Sequence, residues 1–295
     1  MDRFLECAFF VAGLVFGSFL NVCISRIPHD ESVITPASHC RLCGAAIRWY
    51  DNVPLASWLA LRGRCRDCGA SISLRYPAVE FLTGILFTAC FMVFGPTLLT
   101  LKFCVFCSLL VGLIFMDVET GLLPREFTYP GIALGLAFSW LVPTRSAATQ
   151  FLLLLYDKHS QSVALLSFAD SVIAAVLGAA FFYLAWALYY VVRKKHGLGF
   201  GDVALMAMSG AFLGLKLTLL VIFCAPLLAV LYAMVLLAWE TLGRRVAGEL
   251  DPPETSADKE PFLSREIPFG AFLGACSLAA IFFGNAIWDW YLGMF

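Results

Sequence analysis

Two aspartates stand where so apolar a sequence has little reason to place a charge. Asp117 closes an apolar run in Leu-Ile-Phe-Met-Asp, and Asp202 opens another in Gly-Leu-Gly-Phe-Gly-Asp. An ionisable group at the edge of a membrane helix is costly and demands a reason. Two carboxylates held together cannot both ionise, so they share one proton. The ionised member draws a proton from water while the protonated one polarises a carbonyl. That pairing hydrolyses a peptide bond without a metal, which makes Asp117 and Asp202 the candidate catalytic residues. From spacing alone a plainer reading competes, with Asp202 an N-cap and Asp117 a solvated residue at a helix exit.

A second constellation is made of sulfur. Cys40-x-x-Cys43 and Cys65-x-x-Cys68 are two pairs about twenty residues apart, each followed directly by a glycine, Gly44 and Gly69. Thiolate pairs at this spacing converge into a tetrahedral site, and four sulfurs leave no open position for water, so the metal expected at Cys40, Cys43, Cys65 and Cys68 is structural zinc. Two disulfides or four free thiols are the alternatives, and a cytoplasmic location disfavours the first. Cys104-x-x-Cys107 lies inside an apolar run with no partner pair, and with Cys7, Cys23, Cys90, Cys224 and Cys276 it is expected to be buried and inert. Among the other acids, Glu80 suits the first turn of a helix. Asp170 and Glu240 look interfacial, and Glu119 and Glu126 are loop candidates for substrate contact.

The elements that position these groups follow from composition. Of 295 residues 61% are hydrophobic and 14% charged, with mean hydropathy +0.85, far from the balance of soluble domains. Roughly eight apolar runs approach the length needed to cross a bilayer as helices: Leu5 to Ile24, Val79 to Phe94, Leu98 to Met116, Tyr129 to Val142, Leu165 to Val192, Val203 to Leu215, Leu217 to Trp239 and Ile267 to Tyr291. The expected fold is an all-α polytopic membrane protein with a small cytoplasmic four-cysteine insert. The first run carries Asp2 and Glu6 beside Arg3 and lacks a small-residue cleavage site, so it is expected to stay as an anchor.

Placing the segment after the first run in the cytoplasm leaves only Arg3, Lys102, Arg145, Lys158 and Lys216 outside or at outer ends. All other Lys and Arg then face inward, as the positive-inside rule requires. Three units result: a first membrane helix over 1–24, a zinc-binding domain over 25–76, and a membrane core over 77–295. The core contains a polar loop at about 243–266, too poor in apolar residues to fold and expected to be flexible. Thr144 to Ser162 is ambiguous between loop and membrane-surface helix. No internal repeat is expected, and nothing points to nucleic acid as a partner; the lipid bilayer is the partner that composition demands.

Taken together the motifs resemble the type IV prepilin peptidases, bifunctional leader peptidases and N-methyltransferases of pilus and type II secretion systems. The match runs through Gly17-Ser-Phe-Leu-Asn21 with Arg26-Ile-Pro28, the four cysteines, Ser57-Trp-Leu-x-Leu-Arg-Gly-Arg-Cys65, Ile72-Ser-x-Arg-Tyr-Pro-x-x-Glu80, Asp117 with Leu123-Pro124, Gly199-x-Gly-Asp202, and Ile267-Pro-Phe-Gly270. The resemblance implies that Asp117 and Asp202 cut prepilin or pseudopilin precursors at the cytoplasmic face of the bacterial inner membrane, after a Gly and usually before Phe. It also implies methylation of the new amino terminus from S-adenosylmethionine, whose site no motif in the sequence names. The chain departs from the family at Ala204, where Lys is frequent, and at Arg125, where Asp or Asn is. Two other readings stand beside this one: a cation or proton transporter using the same aspartates, and a noncatalytic assembly platform.

Overall fold

The computed structural model describes residues 2–143, 163–194, 199–246 and 268–294. The ambiguous stretch from Thr144 to Ser162 and nearly all of the polar loop at 243–266 lie outside them. Within them the long elements are all helices, and the stretch 27–74 is largely irregular. In order come α1 (Asp2–Arg26), the short α2 (Ala56–Ala60), α3 (Arg75–Phe94), α4 (Leu98–Thr120), α5 (Arg125–Leu141), α6 (Val163–Arg193), α7 (Phe200–Val246) and α8 (Phe269–Leu292).

All eight apolar runs fall on helices. Among the described residues six helices are individually long and apolar enough to cross a membrane, against the eight crossings expected. The difference has two sources. The run Tyr129 to Val142 lies on α5, whose 17 residues fall at the short limit for a span. The runs Val203 to Leu215 and Leu217 to Trp239 share α7, which breaks at Gly214 (φ 73°, ψ 175°).

That break is a reversal. A Cβ on Gly178 of α6 would stand 3.2 Å from the Met206 carbonyl oxygen and 3.3 Å from Thr218 Cγ2. Twelve residues of straight helix span about 18 Å, so both can reach one point only if the chain folds back on itself. The positive φ at residue 214 is one that glycine adopts freely. Asp170 of α6 holds the turn, its Oδ2 accepting the Leu215 N–H at 3.4 Å, and Lys102 of α4 lies buried within Coulombic range of Asp170. Asp170 is therefore a buried anchor of this turn, whereas the sequence suggested an interfacial residue.

Elsewhere helices meet backbone to backbone through small residues, the usual route to close packing in lipid. A Cβ on Gly13 would lie 2.7 Å from Gly84 Cα, and one on Gly17 2.7 Å from Glu80 Cα, so α1 and α3 touch directly. α4 occupies the centre, with Phe106, Leu110, Leu113 and Met116 fully buried and Phe106 stacked on Phe212 at 4.5 Å. The outer surfaces of α6, α7 and α8 expose Val191, Leu227 and Trp290, while the interior holds polar contacts such as Ser209 Oγ to Ser277 Oγ at 3.1 Å. Apolar outside and partly polar inside is the arrangement lipid selects.

Gly210 tests the packing. Its Cβ would stand 2.6 Å from backbone atoms of Ala174 and Ala175, atoms that cannot rotate away. Gly210→Ala is expected to destabilise the bundle by about 1–3 kcal/mol, seen as a lower unfolding midpoint in detergent; an unchanged midpoint would contradict this contact.

Candidate active site

The structure brings Asp117 and Asp202 together and buries both. Asp117 lies in the last turn of α4, 6% exposed, and Asp202 in the first turn of α7, 5% exposed. Each lies within Coulombic range of the other. A third element completes the site. At the start of α8, after Pro268, the first N–H groups have no partner within their own helix. One of them, the Ala271 N–H, donates to Asp117 Oδ2 at 2.7 Å, and the Gly270 N–H also acts on that carboxylate.

Two glycines make this approach possible. A Cβ on Gly270 would lie 3.0 Å from Asp117 Oδ2 and 2.7 Å from Leu123 Cδ1, and one on Gly201 would lie 2.6 Å from Leu123 Cβ. Leu123 is thus the apolar wedge between the two helix starts. On α4, the Gly121 N–H caps the Asp117 carbonyl at 2.8 Å, ending the helix within one turn of the carboxylate. A buried carboxylate pair ringed by backbone donors and apolar walls can hold one shared proton and a water. Asp202 sits in the first turn of α7 as its N-cap alternative requires, but burial beside a second carboxylate is more than a cap needs. Asp117 is not a solvated exit residue.

The four cysteines converge as expected. The sulfurs of Cys40, Cys43, Cys65 and Cys68 all lie within 4.8 Å of one another, with Cys40 Sγ 3.8 Å from Cys68 Sγ. A tetrahedron with metal–sulfur bonds of about 2.3 Å has sulfur edges of about 3.8 Å, so the cluster has the dimensions of a metal site. Backbone N–H groups of Cys43 and then Leu42 bring the Cys40 thiol down to about 6, poised to ionise near neutrality. The Ala70 N–H acts the same way on Cys68, but desolvation and the three neighbouring sulfurs outweigh it and push that thiol up to about 12. Four thiolates this close need a cation. None of the four forms a disulfide.

The two halves of this site are one motif used twice, a repeat that the sequence reading missed. Cys40-Arg-Leu-Cys-Gly-Ala-Ala-Ile47 and Cys65-Arg-Asp-Cys-Gly-Ala-Ser-Ile72 fold alike. In each the first cysteine N–H donates to an alanine carbonyl, Ala45 at 2.9 Å and Ala70 at 2.7 Å. In each the glycine takes a left-handed conformation, φ 71° at Gly44 and 72° at Gly69. Isolated bridges His39 to Ala46 and Arg64 to Ser71 close the two turns. Of the remaining cysteines, Cys23, Cys90, Cys104, Cys107 and Cys276 are buried, as expected, while Cys224 is half-buried and Cys7 faces outward.

Two acids gain a partner. Glu80, on the α3 face against α1, accepts the Leu55 N–H at 2.8 Å and so ties the insert to the bundle. Glu119 pairs with Arg75 across α4 and α3, so its carboxylate is engaged within the chain. The side chain of Glu240 lies outside the described residues. The roles of Gly270, Ala271 and Leu123 escaped the sequence reading; their signal was Pro268, which caps the start of α8, where the first N–H groups are free.

Two family models match the chain, the bacterial peptidase A24 N-terminal domain over residues 11–94 and the type IV leader peptidase family over residues 104–234. A prepilin leader peptidase/N-methyltransferase from Myxococcus xanthus is 39% identical over 84% of this chain and 68% of its own length. One from Aeromonas hydrophila is 31% identical over 97% and 93% respectively, and one from Neisseria gonorrhoeae 34% identical over 77% and 80%. No solved structure matches the chain significantly.

Proposed function

The chain belongs to the type IV leader peptidase family, and on that premise we propose that it removes the leader from prepilin or pseudopilin precursors with Asp117 and Asp202 as the catalytic pair. The observation that carries this reading is the burial of both carboxylates at one point where three helices end or begin, with α8 amides directed at Asp117. Neither a platform nor a cap needs that arrangement.

In this mechanism the ionised carboxylate takes a proton from the water that attacks the scissile carbonyl. The protonated one donates to the carbonyl oxygen; as the tetrahedral diol collapses, the proton taken from water passes to the leaving amine and a diol hydroxyl returns its proton to the pair. The Ala271 and Gly270 N–H groups hold Asp117 in place while the proton moves. Substrate arrives by geometry: a precursor with a basic leader ahead of about 20 apolar residues presents its junction at the cytoplasmic boundary of the bilayer. Lys102 and Lys216 lie at the end of the bundle opposite the aspartates, while the arginines of the insert gather at the aspartate end. That asymmetry supports a cytoplasmic site in the inner membrane. The four-cysteine domain over residues 25–76 stands beside it with zinc as its metal.

Members of this family bear a second activity in their name, and we extend it to this chain as N-methylation of the new amino terminus. S-adenosylmethionine supplies an electrophilic methyl group: the amine forms the N–C bond as the S–C bond breaks, sulfur keeps the electron pair, and the amine proton passes to water.

The deciding experiment incubates purified full-length protein with a precursor carrying a basic leader and a Gly-Phe junction before an apolar helix, and reads the product by mass. Cleavage after the Gly, with the product one methyl heavier when S-adenosylmethionine is added, is expected. An intact precursor would instead favour a transporter or platform. A subtler test is Gly270→Ala, whose new methyl would press on Asp117 Oδ2. It is expected to lower kcat about 10- to 100-fold with metal content and folding unchanged.

A further inference from the structure

Several motif residues play no part in the aspartate chemistry, and they converge on one place. Beneath the four-cysteine insert, between it and the ends of α1 and α3, lies a cavity of about 760 Å³ lined by Asn21, Ser25, Trp58, Arg75, Tyr76 and Glu80. This is a size suited to a nucleoside-bearing ligand. Asp117 and Asp202 are not part of it.

Its walls carry unmet hydrogen-bonding capacity. Asn21 is 2% exposed; its Nδ2 donates to the Tyr76 carbonyl at 3.0 Å, but its Oδ1 is buried without a partner. Arg75 spends one guanidinium nitrogen on Glu119 and another on Ser25 Oγ at 2.7 Å, leaving a buried Nε unmatched. A buried orphan of this kind is costly, so an unmatched acceptor and an unmatched donor in the walls of one cavity mark a place built for something polar. Around them stand two aromatic rings, Tyr76 and Trp58, and a carboxylate, Glu80.

The geometry points to this cavity as the binding site for the methyl donor, an adenosyl sulfonium with a free amino-acid end, an inference that rests on the methyltransferase half of the reading above. The chemistry matches group by group: aromatic faces for adenine, a buried acceptor for a hydroxyl or amino group, a guanidinium donor for a carboxylate, and an acidic wall for a cation. Placement agrees as well. Glu119, which lines the cavity, follows Asp117 by two residues, about 200° around a helix of 3.6 residues per turn. One turn of α4 therefore separates the cavity from the aspartates by no more than a helix thickness, about 10 Å. An amine freed on one face is methylated on the other without the product leaving.

The test measures binding and location together. Full-length protein in nanodiscs is titrated with S-adenosylhomocysteine by calorimetry, and the unaltered protein is cross-linked by ultraviolet light to radiolabelled S-adenosylmethionine and mapped by peptide. Binding is expected in the parent, weakened about tenfold or more in Asn21→Leu and in Arg75→Lys, which keeps a cation for Glu119. Label is expected on peptides from 18–26, 55–61 or 72–80. Binding with label confined to α7 or α8 would overturn the location and leave the methyltransferase reading standing. A parent that cleaves precursor but binds no S-adenosylhomocysteine would overturn both. Because the cross-link uses unmodified protein, misfolding of a variant cannot decide the result.

Discussion

Asp202→Asn in the full-length protein is expected to abolish precursor cleavage, lowering turnover by on the order of 10³-fold or more, and Asp117→Asn is expected to do the same. An amide keeps the size and most hydrogen bonds of the carboxylate, so the fold stays intact, yet it can neither take a proton from water nor share one with its neighbour. The loss should appear in kcat with little change in KM, because neither side chain is needed to seat the precursor's apolar helix. The double variant should be no worse than either single one, since a pair that works as a unit is lost once. Two single variants with moderate, multiplying losses would indicate independent roles and sink the shared-proton mechanism. Retention of near-normal turnover in either would remove that residue from the chemistry.

The second large effect concerns the metal. Replacing Cys40 and Cys65 together by Ser takes one ligand from each knuckle, and with it the free energy of a structural zinc, about 10–16 kcal/mol as apparent binding at neutral pH. A segment whose regular structure is two isolated bridges, one five-residue helix and two short 3-10 turns has little else to hold its cysteine turns together. Metal analysis of the purified parent should give one zinc per chain and of the variant none, and limited proteolysis should cut the variant within residues 27–74 while the membrane helices survive. An equally protected, metal-free parent would show that the sulfurs are packing groups. A parent loaded with iron would correct the identity of the metal.

Much of this was legible in the sequence for identifiable reasons. Every apolar run fell on a helix because lipid admits few alternatives for a chain that must satisfy its own backbone. The cysteine site was legible because four sulfurs at that spacing have few other uses. What stayed hidden was pairwise. No spacing rule says that Ala271, far along the chain from Asp117, aims its amide at that carboxylate, or that Glu119 meets Arg75. The duplicated knuckle stayed hidden for a different reason: outside the cysteines and glycines only Arg, Ala and Ile repeat within its eight residues. The membrane count stayed loose because a single glycine, Gly214, serves as the whole connection between two arms, and hydropathy does not show a turn that has no polar residues.

That connection fixes a depth. The arm of α7 from residue 200 to 213 is about 21 Å long at about 1.5 Å per residue, while the hydrocarbon layer is about 30 Å thick. Its far end is tied at Gly214, and Leu205, Met206, Met208, Ala211 and Phe212 are buried along it, so neighbouring helices rather than lipid cover it. Its near end, with Asp202, is therefore held inside the bundle, short of the level where a longer neighbour such as α6 ends. A depth set by chain length and packing in this way does not change with the thickness of the lipid around it.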